Sequence, residues 1–299
     1  MGKIRVNEYV LNSPNIKEST TILNITDTHG NINVLSDILK LLKEIKTNYI
    51  CMPGDILDNI EQENQKDFTE LLNKLNEFAK TYIALGNHDM THINKKKEEL
   101  SNIKNTEFYK NMKDFKGKLF IDEVNKIDIN KELTLYAINL PKDYYDSKDD
   151  IKEFYKFVDR IDIKPDKNKF NVLLIHSPNG ITRKKEIIDS KLTKDINLIL
   201  CGHNHGGLTP IFIQDLFNNH LGFVGPYDSF FQNNAYGIWT KDNTNVLVSN
   251  GVEKVSDTSP YKGLHDFIRL FFLPEVDLIH LNNSDKNEFY LDKRKVYKL

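Results

Sequence analysis

A chain of 299 residues, 39% hydrophobic and 28% charged, can bury a sizeable core, which excludes a disordered or fibrous class. Its formal net charge of −2 leaves no global basic field, so long nucleic acid is not an expected partner. No run approaches about 18 apolar residues and the N-terminus carries no apolar signal core, so a soluble, cytoplasmic protein without an integral membrane segment is expected. Two cysteines are too few for a disulfide framework. Cys51 and Cys201 each end an apolar run, where buried free thiols are the default and a single bridge is the alternative. Basic runs such as Lys95-Lys96-Lys97 and Arg183-Lys184-Lys185 read as solvated faces.

Along the chain, Ile4 to Leu11 and Thr20 to Thr26 read as strands. Val34, Leu35, Ile38, Leu39, Leu42 and Ile45 recur at helical spacing, with Asn31 or Asn33 as the cap. A strand over Tyr49 to Met52 precedes a second helical stripe of Phe68, Leu71, Leu72, Leu75 and Phe78, and Tyr82 to Leu85 is the next strand. Asn94 to Phe115 is expected to be a charged helix, followed by strands at Lys118 to Asp122, Asn125 to Ile129 and Leu133 to Asn139. Pro141 to Tyr145 reads as the start of a polar loop, Asp149 to Arg160 as a helix and Phe170 to Ile175 as a buried strand. A short helix then leads into the strand Ile196 to Cys201. Strands are expected at Ile211 to Phe217, Leu221 to Val224, Tyr236 to Trp239, Val246 to Ser249, Ile268 to Leu273 and Leu278 to Leu281. Without a repeat or a Pro/Gly-rich linker, one domain over residues 1–299 is the simplest organisation.

Five of these strands end in residues that carry chemistry: Asp27 and His29, Asp55 and Asp58, Asn87 and His88, His176, and His203 with His205. In open α/β sheets the carboxyl edge is where sites assemble. Neutral imidazoles mixed with carboxylates and an amide carbonyl suit Mn²⁺, Fe²⁺ or Zn²⁺ better than Ca²⁺. Asp27, His29, Asp55, Asn87, His176, His203 and His205 outnumber the ligands of one tetrahedral ion and match two ions sharing a carboxylate. In a strand, histidines at i and i+2 share a face, and the glycines of Gly202-His203-Asn204-His205-Gly206-Gly207 let the backbone turn at the strand's end so that both imidazoles can converge.

The ordered series Asp27-Thr28-His29, Gly54-Asp55-Ile56-Leu57-Asp58, Gly86-Asn87-His88-Asp89, His176 and Gly202-His203-Asn204-His205 resembles the calcineurin-like metallophosphoesterase superfamily. Gly206-Gly207 and the segment Ile268 to Glu275 resemble its bacterial GHxHGG-type branch. The resemblance implies a four-layer αββα sandwich of two mixed β-sheets flanked by helices. It implies two divalent ions, Mn²⁺ foremost, with Fe²⁺/Fe³⁺, Zn²⁺ or Mg²⁺ as alternatives. Asp27, His29 and His205 would hold one ion and Asn87, His176 and His203 the other, with Asp55 bridging. A metal-bridging hydroxide would attack phosphorus in line, and His88 would protonate the leaving oxygen. Asp58 would orient His88, with Asp89 as the alternative. A small phosphorylated substrate follows, whether a diester, a pyrophosphate or a monoester.

Two other readings stand beside it. A catalytically silent metal-bound scaffold for a protein partner would typically have lost the acid or some ligands, and none is lost here. A protein Ser/Thr phosphatase would carry arginines after Asp58 and before Gly86, where this chain has Asn59-Ile60 and Leu85. His92, His220, His265 and His280 fall outside the motif blocks and read as surface or core histidines. Tyr144, Tyr145, Tyr227, Phe230, Phe231 and Tyr236 border either a cleft or the core.

Overall fold

The computed structural model describes residues 2–59, 63–90, 104, 106–183, 186–210, 212–214, 220–224, 230–253 and 272–299. The chain starts with β1 (Lys3–Ser13), β2 (Thr20–Asn24), α1 (Ile32–Leu41), β3 (Tyr49–Met52), α2 (Gln65–Phe78), β4 (Lys80–Ile83), α3 (Glu107–Met112) and β5 (Lys118–Leu119). It continues through β6 (Val124–Asp128), β7 (Leu133–Ile138), α4 (Lys142–Tyr145), α5 (Asp150–Arg160) and β8 (Phe170–Ile175). Two small hairpins, β9 (Thr182–Arg183) with β10 (Glu186–Ile187) and β12 (Gly222–Val224) with β13 (Phe230–Gln232), flank β11 (Leu198–Cys201) in sequence. The last strands are β14 (Gly237–Lys241), β15 (Thr244–Val248), β16 (Glu275–Asn283) and β17 (Glu288–Lys298).

Among the described residues, one sheet has the order β17-β1-β16-β2-β3-β4-β5 and the other β14-β15-β11-β8-β7-β6. Each is mixed. In the first, β2 to β5 run parallel and β16 pairs antiparallel with β2. In the second, β7, β8, β11 and β15 run parallel while β6 and β14 pair antiparallel. A side-chain period of two lets a strand bury both faces when both read apolar. Thus Ile22, Cys51, Tyr82, Val172, Leu174, Leu200 and Leu247 join one cluster shared by the two sheets. Their neighbours Leu23, Ile50, Ile83, Leu173, Ile175, Ile199 and Val246 face the other way, in the cluster that takes in the helices. There they pack with Leu35, Ile38 and Leu41 of α1, Phe68, Leu72 and Leu75 of α2, and Phe154, Phe157 and Val158 of α5. That gives the expected four layers, and each buried aliphatic chain stabilises them by about 1.5–3 kcal/mol.

Cys51 lies in the inter-sheet cluster and Cys201 in the outer one, so both thiols are free and no bridge forms. Burial pushes the Cys51 thiol up to about 12 and raises that of Cys201 as well. The thiolate is the reactive form. A chromogenic disulfide reagent at pH 8 is therefore expected to titrate no thiol in the native chain and both after guanidinium unfolding; a fast native reaction would contradict this packing. No helix among the described residues is long and apolar enough to cross a membrane.

Several elements differ from the sequence reading. Asn31, not Asn33, caps α1 by accepting the Val34 amide at 3.1 Å, and the apolar stripe continues past Leu42 as turns. Of the stretch Asn94 to Phe115 expected to be a charged helix, residues 94–103 and 105 lie outside the described residues, and within the rest α3 is helical, capped where Thr106 Oγ1 accepts the Tyr109 amide. The polar loop at Pro141 is a helical turn, α4, because burying Tyr144 and Tyr145 holds it against the core. The helix expected between His176 and β11 is instead the β9–β10 hairpin followed by turns. Of the strand expected over Ile211 to Phe217, residues 211 and 215–217 lie outside the described residues, and Phe212 to Gln214 form a helical turn after Pro210, whose carbonyl takes the amides of Ile213 and Gln214. The strand ending at Leu281 is the nine-residue β16, which pairs parallel with β1. β17 carries no expectation from the sequence, and the strand expected from Ile268 lies mostly outside the described residues.

Candidate functional site

Because β2, β3 and β4 are parallel in one sheet and β8 and β11 in the other, each group shares a carboxyl edge. The loops leaving those edges are stitched together. The Asp27 amide donates to the Gly54 carbonyl at 3.2 Å, the Gly202 amide to His176 at 2.9 Å, and the Val252 amide to Thr26 at 3.0 Å. Across the sheets, the His203 amide donates to Asp27 Oδ1 at 3.1 Å. Five of the site residues have left-handed backbones: Asp27 (φ 56°), His29 (45°), Asp55 (50°), His203 (72°) and His205 (47°). Such conformations cost about 1–3 kcal/mol each and cluster where side chains must be aimed. The two histidines of the last motif therefore leave extended strand geometry through their own backbones, as do Gly206 and Gly207 after them.

Three groups of ligand atoms result among the described residues, Asp27 with His29 and His205, Asp55 with His176 and His203, and His29 with Asp58 and His88, the atoms of each lying within 4.8 Å of one another. His176 Nε2 lies 2.9 Å from Asp55 Oδ2 and 4.0 Å from Asp27 Oδ1, so the first two adjoin. His205 Nε2 lies 3.8 Å from Asp27 Oδ1, and its Nδ1 is 2.8 Å from the Glu253 carbonyl. That second contact fixes the proton on Nδ1 and leaves Nε2 to act as a ligand. Asn87 is half-buried at the turn where the Gly86 amide reaches Asp89 and the His88 amide reaches Asp55.

The donors fit divalent ions. Asp27 Oδ2 and His29 Nε2 are buried and make no hydrogen bond among the described residues, which is costly for a polar atom without a partner. The local field is cation-seeking. Burial pushes the His29 pKa down, but the Asp58 hydrogen bond and the charges of Asp55, Asp27 and Asp58 outweigh it and lift it to about 9. At His176 burial is likewise outweighed, chiefly by Asp55, and the pKa rises. Burial would raise Asp55, but the surrounding histidines, His176 foremost, hold it well below the usual carboxylate range. Burial keeps His203 and His205 neutral, His205 at about 4. Neutral imidazoles beside ionised carboxylates form the donor set of borderline metals.

His88 stands at the mouth of the site, its side chain 25% exposed against 2% for His29. Its Nδ1 is 2.7 Å from the main-chain carbonyl of Asp58 and 3.8 Å from the Asp58 carboxylate. Asp89 does not orient it. The Asp89 carboxylate accepts the amides of Leu57 at 2.9 Å and Gly86 at 2.8 Å, clamping the loops after β3 and β4 together. Burial, then repulsion from Asp55, raises Asp89 to about 7.

His220 is structural, with Nδ1 2.8 Å from the Tyr236 carbonyl and its ring packed on Trp239. His280 faces Glu8 at 3.4 Å, away from the site. Tyr236 is buried in the core. His92, His265, Tyr227 and the side chains of Phe230 and Phe231 lie outside the described residues. One contributor, Glu253, escaped the sequence reading, whereas Tyr144 and Tyr145 were read as bordering a cleft or the core. Glu253 holds His205 with its carbonyl, donates its amide to the Asp27 carbonyl at 2.9 Å, and accepts Asn31 Nδ2 at 2.7 Å. Its only signal is position, just beyond an Asn250-Gly251 turn after β15. Tyr145 packs edge-on against His203, ring centroids 5.4 Å apart, while Tyr144 Oη bonds Ser177 Oγ next to His176.

A two-sheet sandwich with aspartates and histidines gathered at the carboxyl edges of its strands is the layout of a metallophosphoesterase. The family model for calcineurin-like phosphoesterase matches residues 20–207, and the chain belongs to that family. It is 28% identical over 240 residues to an uncharacterized metallophosphoesterase of Campylobacter jejuni, covering 76% of this chain and 56% of that protein. It is 26% identical over 262 residues to a candidate metallophosphoesterase of Caenorhabditis elegans, covering 84% of this chain and 47% of that one. The chain thus spans about half the length of these curated relatives. Among solved structures, an archaeal phosphodiesterase aligns with a TM-score of 0.42 and 11% identity, over 93% of this chain and 99% of that one.

Proposed function

We propose that this chain hydrolyses a small phosphoester with the help of two divalent metal ions, Mn²⁺ foremost. The observation that carries the reading is the pair of adjoining Asp/His clusters joined through His176 and Asp55. Asp27, His29 and His205 would hold one ion and Asn87, His176 and His203 the other, with Asp55 shared. Bound ions of this kind neutralise phosphoryl oxygens and lower the pKa of a water nucleophile toward neutrality. The chain's own residues do the rest. The Asp55 carboxylate is held in register with the next loop by the His88 amide, at 2.9 Å. His88, held through Nδ1–H on the Asp58 carbonyl, would give a second ring proton, carried on Nε2, to the leaving oxygen and be left as the neutral ring.

Leu85, fully buried with its amide on Asn139, occupies the place of one phosphate-gripping arginine of the protein phosphatases, and Asn59 that of another. The reading therefore favours diesters and pyrophosphates over phosphoproteins. The experiment is a titration of metal-free protein with Mn²⁺, followed by turnover of bis-p-nitrophenyl phosphate, p-nitrophenyl phosphate and a nucleoside pyrophosphate. Two bound ions with diester or pyrophosphate cleavage are expected. Two bound ions with no turnover of any substrate would return the chain to the scaffold reading.

A further inference from the structure

We infer that Asp58 positions two histidines with two different groups: its main-chain carbonyl fixes His88, and its carboxylate fixes His29. The inference rests on the phosphoesterase reading for the roles of those two rings. It reverses the expectation that the Asp58 carboxylate serves His88. An imidazole Nδ1 has one proton to give. His88 Nδ1 lies 2.7 Å from the Asp58 carbonyl, which can only accept, so that proton is committed there. The carboxylate, 3.8 Å from the same nitrogen, is beyond hydrogen-bond range. Its nearer imidazole is His29, with Nδ1 at an ion-pair distance of 3.5 Å from Asp58 Oδ1 and no hydrogen bond on that nitrogen among the described residues.

The two rings meet edge to face, centroids 4.7 Å apart, so one residue reaches both. Both side chains of the His29–Asp58 pair are almost fully buried, at 2% and 8% exposure, so water scarcely competes for the contact. A carboxylate behind a ligating histidine sets its tautomer, leaves the far nitrogen free for the metal and makes that nitrogen more basic. Asp58 is thus a positioning residue for metal binding through its side chain, and for proton delivery only through its backbone.

The test is Asp58→Asn, with Asp58→Ala beside it, because either substitution keeps the carbonyl that holds His88. Mn²⁺ affinity at one of the two sites is expected to fall about 10–100-fold, more in the alanine variant. Turnover should recover at saturating Mn²⁺, with the residual loss equal for nitrophenyl and alkyl leaving groups. Unchanged Mn²⁺ affinity with a deficit that grows with leaving-group pKa would overturn the inference. Imidazole ¹⁵N NMR of metal-free protein provides a second readout. The His29 Nδ1 resonance should move in Asp58→Asn while that of His88 stays, and the reverse would also overturn it. Should neither variant fold, the wild-type spectrum decides: His29 Nδ1–H is expected to be protected from solvent exchange, and rapid exchange there would refute the contact. If the wild type takes up no Mn²⁺, the phosphoesterase reading fails and the NMR comparison still judges Asp58.

Discussion

His88→Ala is expected to lower turnover of the proposed phosphoester substrate by about 10²–10⁴-fold, the range supplied by a positioned general acid. Three features of the site carry this expectation. His88 is the most solvent-facing of the site imidazoles, with 25% side-chain exposure against 20% for His205 and none for His176. Its Nδ1 is committed to the Asp58 carbonyl, so Nε2 is the ring nitrogen left for proton transfer. It is absent from the two clusters proposed for the ions and groups instead with His29 and Asp58, so its loss is expected to leave Mn²⁺ stoichiometry intact. The deficit should depend on the leaving group. A nitrophenolate departs with little help, whereas an alkoxide needs its proton in the transition state, so alkyl esters should suffer more. Steady-state rates on both ester types, with metal content measured on the same samples, check this. A loss below about 10-fold on both would remove His88 from proton transfer.

What the sequence made legible follows the same physics. The site was readable because its chemistry sits at strand ends, where apolar runs stop abruptly at Asp, Asn and His. Tyr49–Met52 and Phe170–Ile175 were placed to the residue because strands buried on both faces read as continuous apolar runs. The same rule hides β17. As an edge strand paired on one side with β1, Glu288–Lys298 needs little apolar content, and its Asp292-Lys293-Arg294-Lys295 run reads as a loop. The return of β16 beside β1 is a pairing between opposite ends of the chain, which no local pattern encodes. In the site, residue identity pointed to the two clusters, but contacts made by backbone atoms left no trace. The Glu253 carbonyl behind His205 and the Asp58 carbonyl behind His88 could belong to any side chain. The choice between Asp58 and Asp89 likewise turned on two backbone amides, those of Leu57 and Gly86, which claim Asp89.

Gly54→Ala is expected to damage stability and site together, because Gly54 lies where four site loops cross. Its φ of +126° is a conformation that side chains rarely adopt, and a Cβ there would stand 2.6 Å from the Gly86 amide nitrogen and 2.8 Å from His176 Nδ1. Its carbonyl takes the Asp27 amide at 3.2 Å, so the loop after β2 moves with it. Strain of about 1–3 kcal/mol from the backbone adds to about 1–3 kcal/mol from forcing a methyl into a packed contact. Against a typical stability of about 5–15 kcal/mol this is a large share. At about 2–4 °C per kcal/mol for a chain of this class, the melting temperature should fall by roughly 4–24 °C. The relief available is outward movement of Gly86 or His176, which would separate His176 from Asp55, now 2.9 Å apart. Mn²⁺ affinity should therefore drop at the ion proposed for His176 and His203 more than at the one proposed for Asp27, His29 and His205. Thermal melts with and without Mn²⁺, and a competition titration of the folded variant, read both effects. An unchanged melting temperature would show that the loops after β3 and β4 do not approach this closely. A lowered melting temperature with equal loss at both ions would place the damage in the fold as a whole and not at His176.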